Sequence, residues 1–186
     1  MPAALQNIDE TILFFIQNHL KNPVLDRVMV FFSSIGNAGF LWLLIAIILL
    51  LQKRYQKCGI TLIIALTLAS FLGNEVFKPL FGRVRPCNKF PEVELLINRL
   101  HTASFPSGHT MAAFTSATVL YCYQRRYGLL AFAVAGMIAF SRLYLFVHYP
   151  SDVLGGIIFG VVNALIIVYG TKKIYWNLEN KHSELP

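Results

Sequence analysis

Three short segments place ionisable groups in an otherwise apolar chain. They are Lys78-Pro79-Leu80-Phe81-Gly82-Arg83-Val84-Arg85-Pro86, Phe105-Pro106-Ser107-Gly108-His109-Thr110, and Ser141-Arg142 followed by His148-Tyr149-Pro150-Ser151-Asp152. A charge at the centre of a membrane helix costs ~2.5–3.5 kcal/mol on insertion scales, so ionisable residues in such a setting point to function. In the first segment Lys78 precedes a proline, which predicts that a helix ends there. Lys78 and Arg85 then emerge at the membrane surface, as anion ligands or as snorkelling anchors. In the second, Pro106 and Ser107 read as a helix start with Ser107 at the N-cap. The free N–H groups of such an end attract anions, Gly108 admits one close to the backbone, and His109 stands beside it. In the third, Pro150 holds Tyr149 extended and a helix starts near Ser151, with Asp152 in its first turn. His148 lies within reach of Asp152, and such a pair fixes the ring and its tautomer, for catalysis or for structure.

The elements that position these groups follow from composition. Of the 186 residues 56% are hydrophobic and 13% charged, against about 25% charged in soluble domains. That excludes disorder and an ordinary water-exposed surface, and implies a membrane protein. The net charge of +7 comes from 16 Lys and Arg in short clusters between apolar runs, a pattern of loop anchors and anion ligands rather than a nucleic-acid face. Long runs of low charge cover residues 28–51 (interrupted at 36–39), 58–74, 110–124, 127–147 with Arg142 inside, and 153–171. The stretch 8–20 carries Ile8, Ile12, Phe15, Ile16 and His19 at helical spacing but is too short to span, so it reads as an amphipathic helix in the membrane plane. The expected fold is an all-α membrane helical bundle of about five spanning helices plus this in-plane helix, or six if the first segment also crosses. Residues 1–22 form the amphipathic segment, 23–174 the membrane-embedded domain and 175–186 a polar tail. Gly156, Gly160 and Ala164 make a small-residue stripe read as close packing within one molecule. Cys58, Cys87 and Cys122 have no metal spacing and do not form a disulfide framework. Asp9 and Glu10 precede any basic residue, unlike a secretory leader.

Counting crossings brings the three segments to one face of the membrane. The first ends the second span, the second begins the third, and the third joins the fourth to the fifth. Lys78, Arg85, Arg142, His109, His148, Asp152 and the helix start at Ser107 and Gly108 then share one site. Cations for equatorial oxygens, an attacking group and a proton donor are the inventory of phosphoryl transfer. In residue type and spacing, Lys78-x6-Arg85-Pro86, Pro106-Ser107-Gly108-His109 and Ser141-Arg142-x5-His148-x3-Asp152 resemble the three signatures of the type 2 phosphatidic acid phosphatases. That family shares its site with vanadium haloperoxidases and bacterial acid phosphatases, and the resemblance runs from about Leu25 to Ile174. It implies that His148 is the nucleophile and forms a phosphohistidine, that Asp152 orients it, and that His109 protonates the leaving oxygen and then activates water. It also implies that Lys78, Arg85, Arg142, the Ser107 hydroxyl and the Gly108 N–H hold the phosphoryl oxygens. Arg83 is additional to the motif and is assigned to a second phosphate or to lipid headgroups. One carboxylate is too few for a two-metal site, so no metal and no cofactor is expected. Glu75 is read as an intrahelical partner of Lys78.

The motif face holds Lys21, Arg27, Lys78, Arg83, Arg85, Lys89, Arg99 and Arg142. The other face holds Lys53, Arg54, Lys57, Arg125, Arg126, Lys172, Lys173 and Lys181. Setting aside the three phosphate ligands tips the balance toward a motif face outside the cytoplasm, and Cys87 becomes the cysteine open to an impermeant thiol reagent there. A site at the bilayer surface with no cap suits a lipid phosphate. The short chain and small loop resemble bacterial undecaprenyl-diphosphate phosphatases of the bacitracin-resistance type, which implies a bacterial inner membrane. Phosphatidylglycerophosphate, phosphatidate and lipid A phosphates are the alternative substrates, and an anion transporter or channel the alternative class. A haloperoxidase would carry the same site, but five membrane spans argue against it.

Overall fold

The computed structural model describes residues 2–183, all helix and connecting loop with no strand among the described residues. Helix α1 (Ala3–His19) is followed by α2 (Pro23–Ile35), a 3₁₀ turn (Asn37–Gly39) and α3 (Phe40–Leu50). Asn22 begins α2 by accepting the Val24 and Leu25 N–H groups at 3.1 and 3.0 Å, with Pro23 preorganising the first turn. The chain bends by 51° between α2 and α3. Helix α4 (Gln56–Phe71) runs through a π-helical stretch (Leu72–Phe77) into α5 (Lys78–Phe81); α6 (Pro86–Lys89) and a loop lead to α7 (Gly108–Tyr123), α8 (Arg125–Tyr144) and α9 (Pro150–Ser183).

Among the described residues, three helices are long and apolar enough to cross a bilayer: the run through α4 and α5, α8 and α9, with the bent α2–α3 pair as a fourth. Helix α7, read as a further span, has 16 residues. It lies inside the bundle, packed against α8, α9 and α4. The stripe on α9 does what its spacing implies. A Cβ on Gly160 would stand 2.6 Å from the Met111 carbonyl oxygen and one on Gly156 2.8 Å from that of Ser107, so only glycine lets α9 lie this close to α7.

One expectation is corrected. The helix does not end at Lys78 but continues past Pro79 to Phe81, where Gly82 turns left-handed (φ 52°). The π-helical register ahead of it places Pro79 in the first positions of a new turn, where its missing N–H breaks no bond. In α1, the stripe of Ile8, Ile12 and Phe15 is exposed, and the buried face is Asp9, Leu13 and Ile16. In a bilayer apolar side chains can face outward, so the stripe marks the lipid side rather than the core. Asp9 bonds the first turn of α9 and Gln17 Nε2 donates to the last carbonyl of α8. Both contacts are at the same end of the bundle, so α1 lies across that end.

Candidate active site

The left-handed Phe146 (φ 59°) turns the chain between α8 and α9. Such a backbone costs a bulky residue on the order of 1–2 kcal/mol, offset by packing of Phe146 with Leu13 and Tyr149 beside Phe14 and Phe90. The turn folds back so that the His148 N–H reaches the Arg142 carbonyl oxygen at 3.3 Å. The His148 ring is thereby buried next to the start of α9.

Arg85 Nη1 donates to His148 Nε2 at 3.0 Å and to the Val147 carbonyl at 3.0 Å. Thr102 holds the rest of the guanidinium through its carbonyl, at 2.6 Å, and its hydroxyl, at 2.9 Å. Since an Arg N–H donates to Nε2, that nitrogen carries the lone pair and Nδ1 the proton. Nδ1 faces Asp152 Oδ2 at 3.6 Å and makes no hydrogen bond of its own. Burial pushes His148 down to about 3, against the pull of Asp152, and the charges of Arg85 and Arg142 push the same way. The ring is therefore neutral at physiological pH, with its lone pair on the atom that faces a cation.

Asp152 is held from every side. Its Oδ2 accepts from Ser104 Oγ at 2.5 Å and the Tyr149 N–H at 2.8 Å, and its Oδ1 from Arg83 Nη1 at 2.6 Å. Arg83 is thus not directed at a second phosphate or at headgroups, as expected from sequence. It is buried, with Nη2 on Asp9 Oδ2 at 2.6 Å and Gln6 Oε1 at 2.8 Å, and it stacks 4.0 Å over Tyr149. Lys89 pairs with Glu10 at 2.5 Å.

The remaining expected residues lie on α5, α7 and α8. Ser107 is the N-cap residue of α7, but its side chain caps no N–H; its Oγ accepts from Thr110 Oγ1 at 2.9 Å. The Ser107 N–H bonds the Asp152 carbonyl at 3.0 Å, tying α7 to α9. Nothing stands within 4 Å of where a Gly108 Cβ would be, so that backbone is open to an anion. His109 Nε2–H donates to Asn37 Oδ1 at 2.9 Å. Lys78 Nζ bonds Asn74 Oδ1 at 2.6 Å, rather than Glu75 as expected. Arg142 reaches across to Ser33 on α2, and its Nε has no partner. Lys78, Gly108 and His109 line one cleft of about 660 Å³, which continues between Leu43, Leu66, Phe71 and Ala112. Ser70, Asn74 and Glu75 also line it, so the cleft combines polar, charged and apolar side chains.

Cys87, expected to be open to thiol reagents, is fully buried beneath Tyr144 and Val147. Sequence reasoning also missed Asp9, Ser104, Thr102, Asn37 and Ser33. Asp9 was findable, since it shares a face with Leu13 and Ile16 at i, i+4 and i+7. The polar residues in loops and in α2 carried no such periodic mark.

A helical membrane bundle with this constellation at one end defines a class, and sequence comparison agrees. Residues 58–176 match the model of the PAP2 superfamily, and the chain belongs to that family. It is 35% identical over 157 residues to an undecaprenyl-diphosphatase of Sulfolobus acidocaldarius, covering 83% of this chain and 75% of that one. Its fold matches LpxE of Aquifex aeolicus with a TM-score of 0.77 at 31% identity, over 87% of this chain and 95% of that one. It also matches the PAP2-type phosphatidylglycerolphosphate phosphatase of Bacillus subtilis, with a TM-score of 0.76 at 28% identity, over 93% and 89% of the two chains. The protein is a lipid phosphatase of the membrane.

Proposed function

We propose that the chain removes the terminal phosphate of undecaprenyl diphosphate, leaving undecaprenyl phosphate, through a phosphohistidine on His148. The observation that carries the mechanism is the bond from Arg85 to His148 Nε2, which leaves that nitrogen with a lone pair and a phosphate ligand beside it. On binding, the β-phosphoryl oxygens take the donors of Arg85, Lys78, Arg142, the Ser107 hydroxyl and the Gly108 N–H. His148 Nε2 attacks phosphorus as the bond to the bridging oxygen breaks. His109 gives that oxygen a proton, and Asp152 supports the positive charge growing on the His148 ring. Water, deprotonated by His109, then attacks phosphorus, the N–P bond breaks and inorganic phosphate leaves. Both carboxylates at the site are engaged with Arg83, which supports a reaction without a metal. Activity is expected to survive EDTA, and vanadate to compete with substrate.

The substrate rests on the Sulfolobus relative and on the apolar run of the cleft, which suits a polyprenyl tail. Arg83 is paired with Asp9 and Asp152 and Lys89 with Glu10, so the substrate reading does not draw on either cation. Phosphatidylglycerophosphate is the second reading, because the Bacillus phosphatase named for it shares the fold. Comparing kcat/KM for the two lipids with purified protein decides between them, and a preference for phosphatidylglycerophosphate overturns the assignment. Phosphate release by purified protein also separates a phosphatase from a transporter. The same proposal places the site outside the cytoplasm of a bacterial inner membrane. Glu92 is exposed in the loop at that end, so a Glu92→Cys variant should label on intact cells with an impermeant thiol reagent. Protection of that cysteine until the cells are lysed reverses the orientation.

A further inference from the structure

The helix lying across the catalytic end is bonded into the catalytic machinery through one buried carboxylate. Asp9 Oδ1 accepts the Ser151 N–H at 2.9 Å, in the first turn of α9. Asp9 Oδ2 accepts from Ser151 Oγ at 2.5 Å and from Arg83 Nη2 at 2.6 Å. Arg83 Nη1 continues to Ser151 Oγ at 2.7 Å and to Asp152 Oδ1 at 2.6 Å, and the other oxygen of Asp152 faces His148 Nδ1. Asp9 is 1% exposed and Asp152 0%.

We propose that Asp9 and Arg83 are positioning residues that hold Asp152 and keep it electrostatically effective toward His148. The charge pattern carries the argument. Asp9, Arg83 and Asp152 form a row of two carboxylates around one guanidinium, with a net charge of −1. Arg83 divides its two Nη donors between the carboxylates, so Asp152 keeps an unbalanced negative charge for the imidazole. That charge matters when His148 attacks, because its ring becomes cationic as the N–P bond forms. With Asp9 neutral, Arg83 would cancel Asp152 and the growing imidazolium would lose its counter-charge. Asp9 also stands at the N-terminus of α9, where a carboxylate is favoured, and so fixes the helix that carries Asp152. The N-terminal helix thus tunes chemistry on His148 through Arg83 and Asp152.

The inference rests on His148 acting as proposed, and the test keeps the two apart. Turnover of a short polyprenyl diphosphate and formation of ³²P-labelled phosphoenzyme are measured in detergent, with thermal melting of every variant. Asp9→Asn should lower kcat about 10- to 100-fold, the range typical for partners of a catalytic ligand, with KM changed less than about threefold. The double variant Asp9→Asn, Arg83→Gln restores the net charge of −1 on Asp152 and should recover much of the lost kcat. Asp9→Glu should retain most activity. A double variant slower than Asp9→Asn at equal melting temperature shows that the row acts only as packing and overturns the proposal. Wild-type kcat in Asp9→Asn, with His148→Ala inactive, also overturns it. Turnover by His148→Ala would instead remove the phosphohistidine reading. If Asp9→Asn does not fold, the double variant and Asp9→Glu carry the same comparison.

Discussion

At the catalytic end, Arg83, Arg85 and Arg142 are 9%, 3% and 1% exposed and are held by carboxylates, carbonyls, hydroxyls and one imidazole. At the opposite end Arg54, Lys57, Arg125 and Lys172 are exposed and lie over Tyr55, Tyr175, Tyr121 and Tyr123 at 5.6, 5.3, 5.5 and 5.1 Å. A desolvated cation is stabilised where an anion or a set of acceptors answers it, as the carboxylates do for Arg83 and the Thr102 and Val147 oxygens for Arg85. An exposed one keeps its water and rests its stem on an aromatic ring, where each contact contributes about 0.5–1 kcal/mol. The lesson is that cations of the same types mark a site at one end and an interface anchor at the other, and burial tells them apart.

Removing the proposed nucleophile should draw the contrast most sharply. His148→Ala is expected to lower kcat by at least about 10³-fold while the protein still melts cooperatively in detergent. Substantial turnover would erase the distinction between the ends. Arg142→Lys comes next, since it keeps the charge but loses the planar fork. A drop of about 10²-fold in kcat/KM, with weaker vanadate inhibition, is expected; wild-type kinetics would reduce Arg142 to an anchor. The two ends depend on the α7–α9 contact to stay in register. Gly160→Ala should therefore lower the melting temperature by several degrees, because its Cβ meets the Met111 carbonyl. An unchanged melting curve would show that α9 can shift without consequence.

A smaller effect is read through pH. His148 lies in the turn between α8 and α9, and burial holds it near 3, against about 6.5 in an unfolded chain. Below 6.5 the unfolded chain binds a proton that the folded chain refuses. This contribution to stability is thus complete above about pH 6.5 and is lost as pH falls toward 3. Melting temperatures from pH 7 to 4 should fall more steeply for wild type than for His148→Gln; parallel curves would contradict the burial argument. The smallest change belongs to the opposite end, where Arg125→Ala should alter activity less than about twofold and stability by about 0.5 kcal/mol or less. A loss there comparable to Arg142→Lys would make both ends catalytic.

Much of the site was legible because its chemistry is local in sequence. The His148–Asp152 spacing across Pro150, the helix start at Ser107 and Gly108, and the Lys78 to Arg85 spacing each place groups within a turn or two of one another. Crossing parity then assigns them to one face without any tertiary information. The helix boundary at Lys78 was misplaced because the proline rule assumes an α-helical register, and the π-helical stretch changes it.

Sequence alone determined that this is an all-helical membrane protein and pointed to a phosphoryl-transfer site at one end, since apolar run length and motif spacing are properties of the chain itself. Tertiary structure decided which cations the site owns. Arg83 and Arg85 are two residues apart and chemically identical in the sequence, yet Arg85 rests on the His148 ring and Arg83 is shared between Asp9 and Asp152. That division depends on a carboxylate 74 positions away, delivered by a helix lying across the end of the bundle. A buried charge is defined by its partners, and partners so distant meet only when the chain folds.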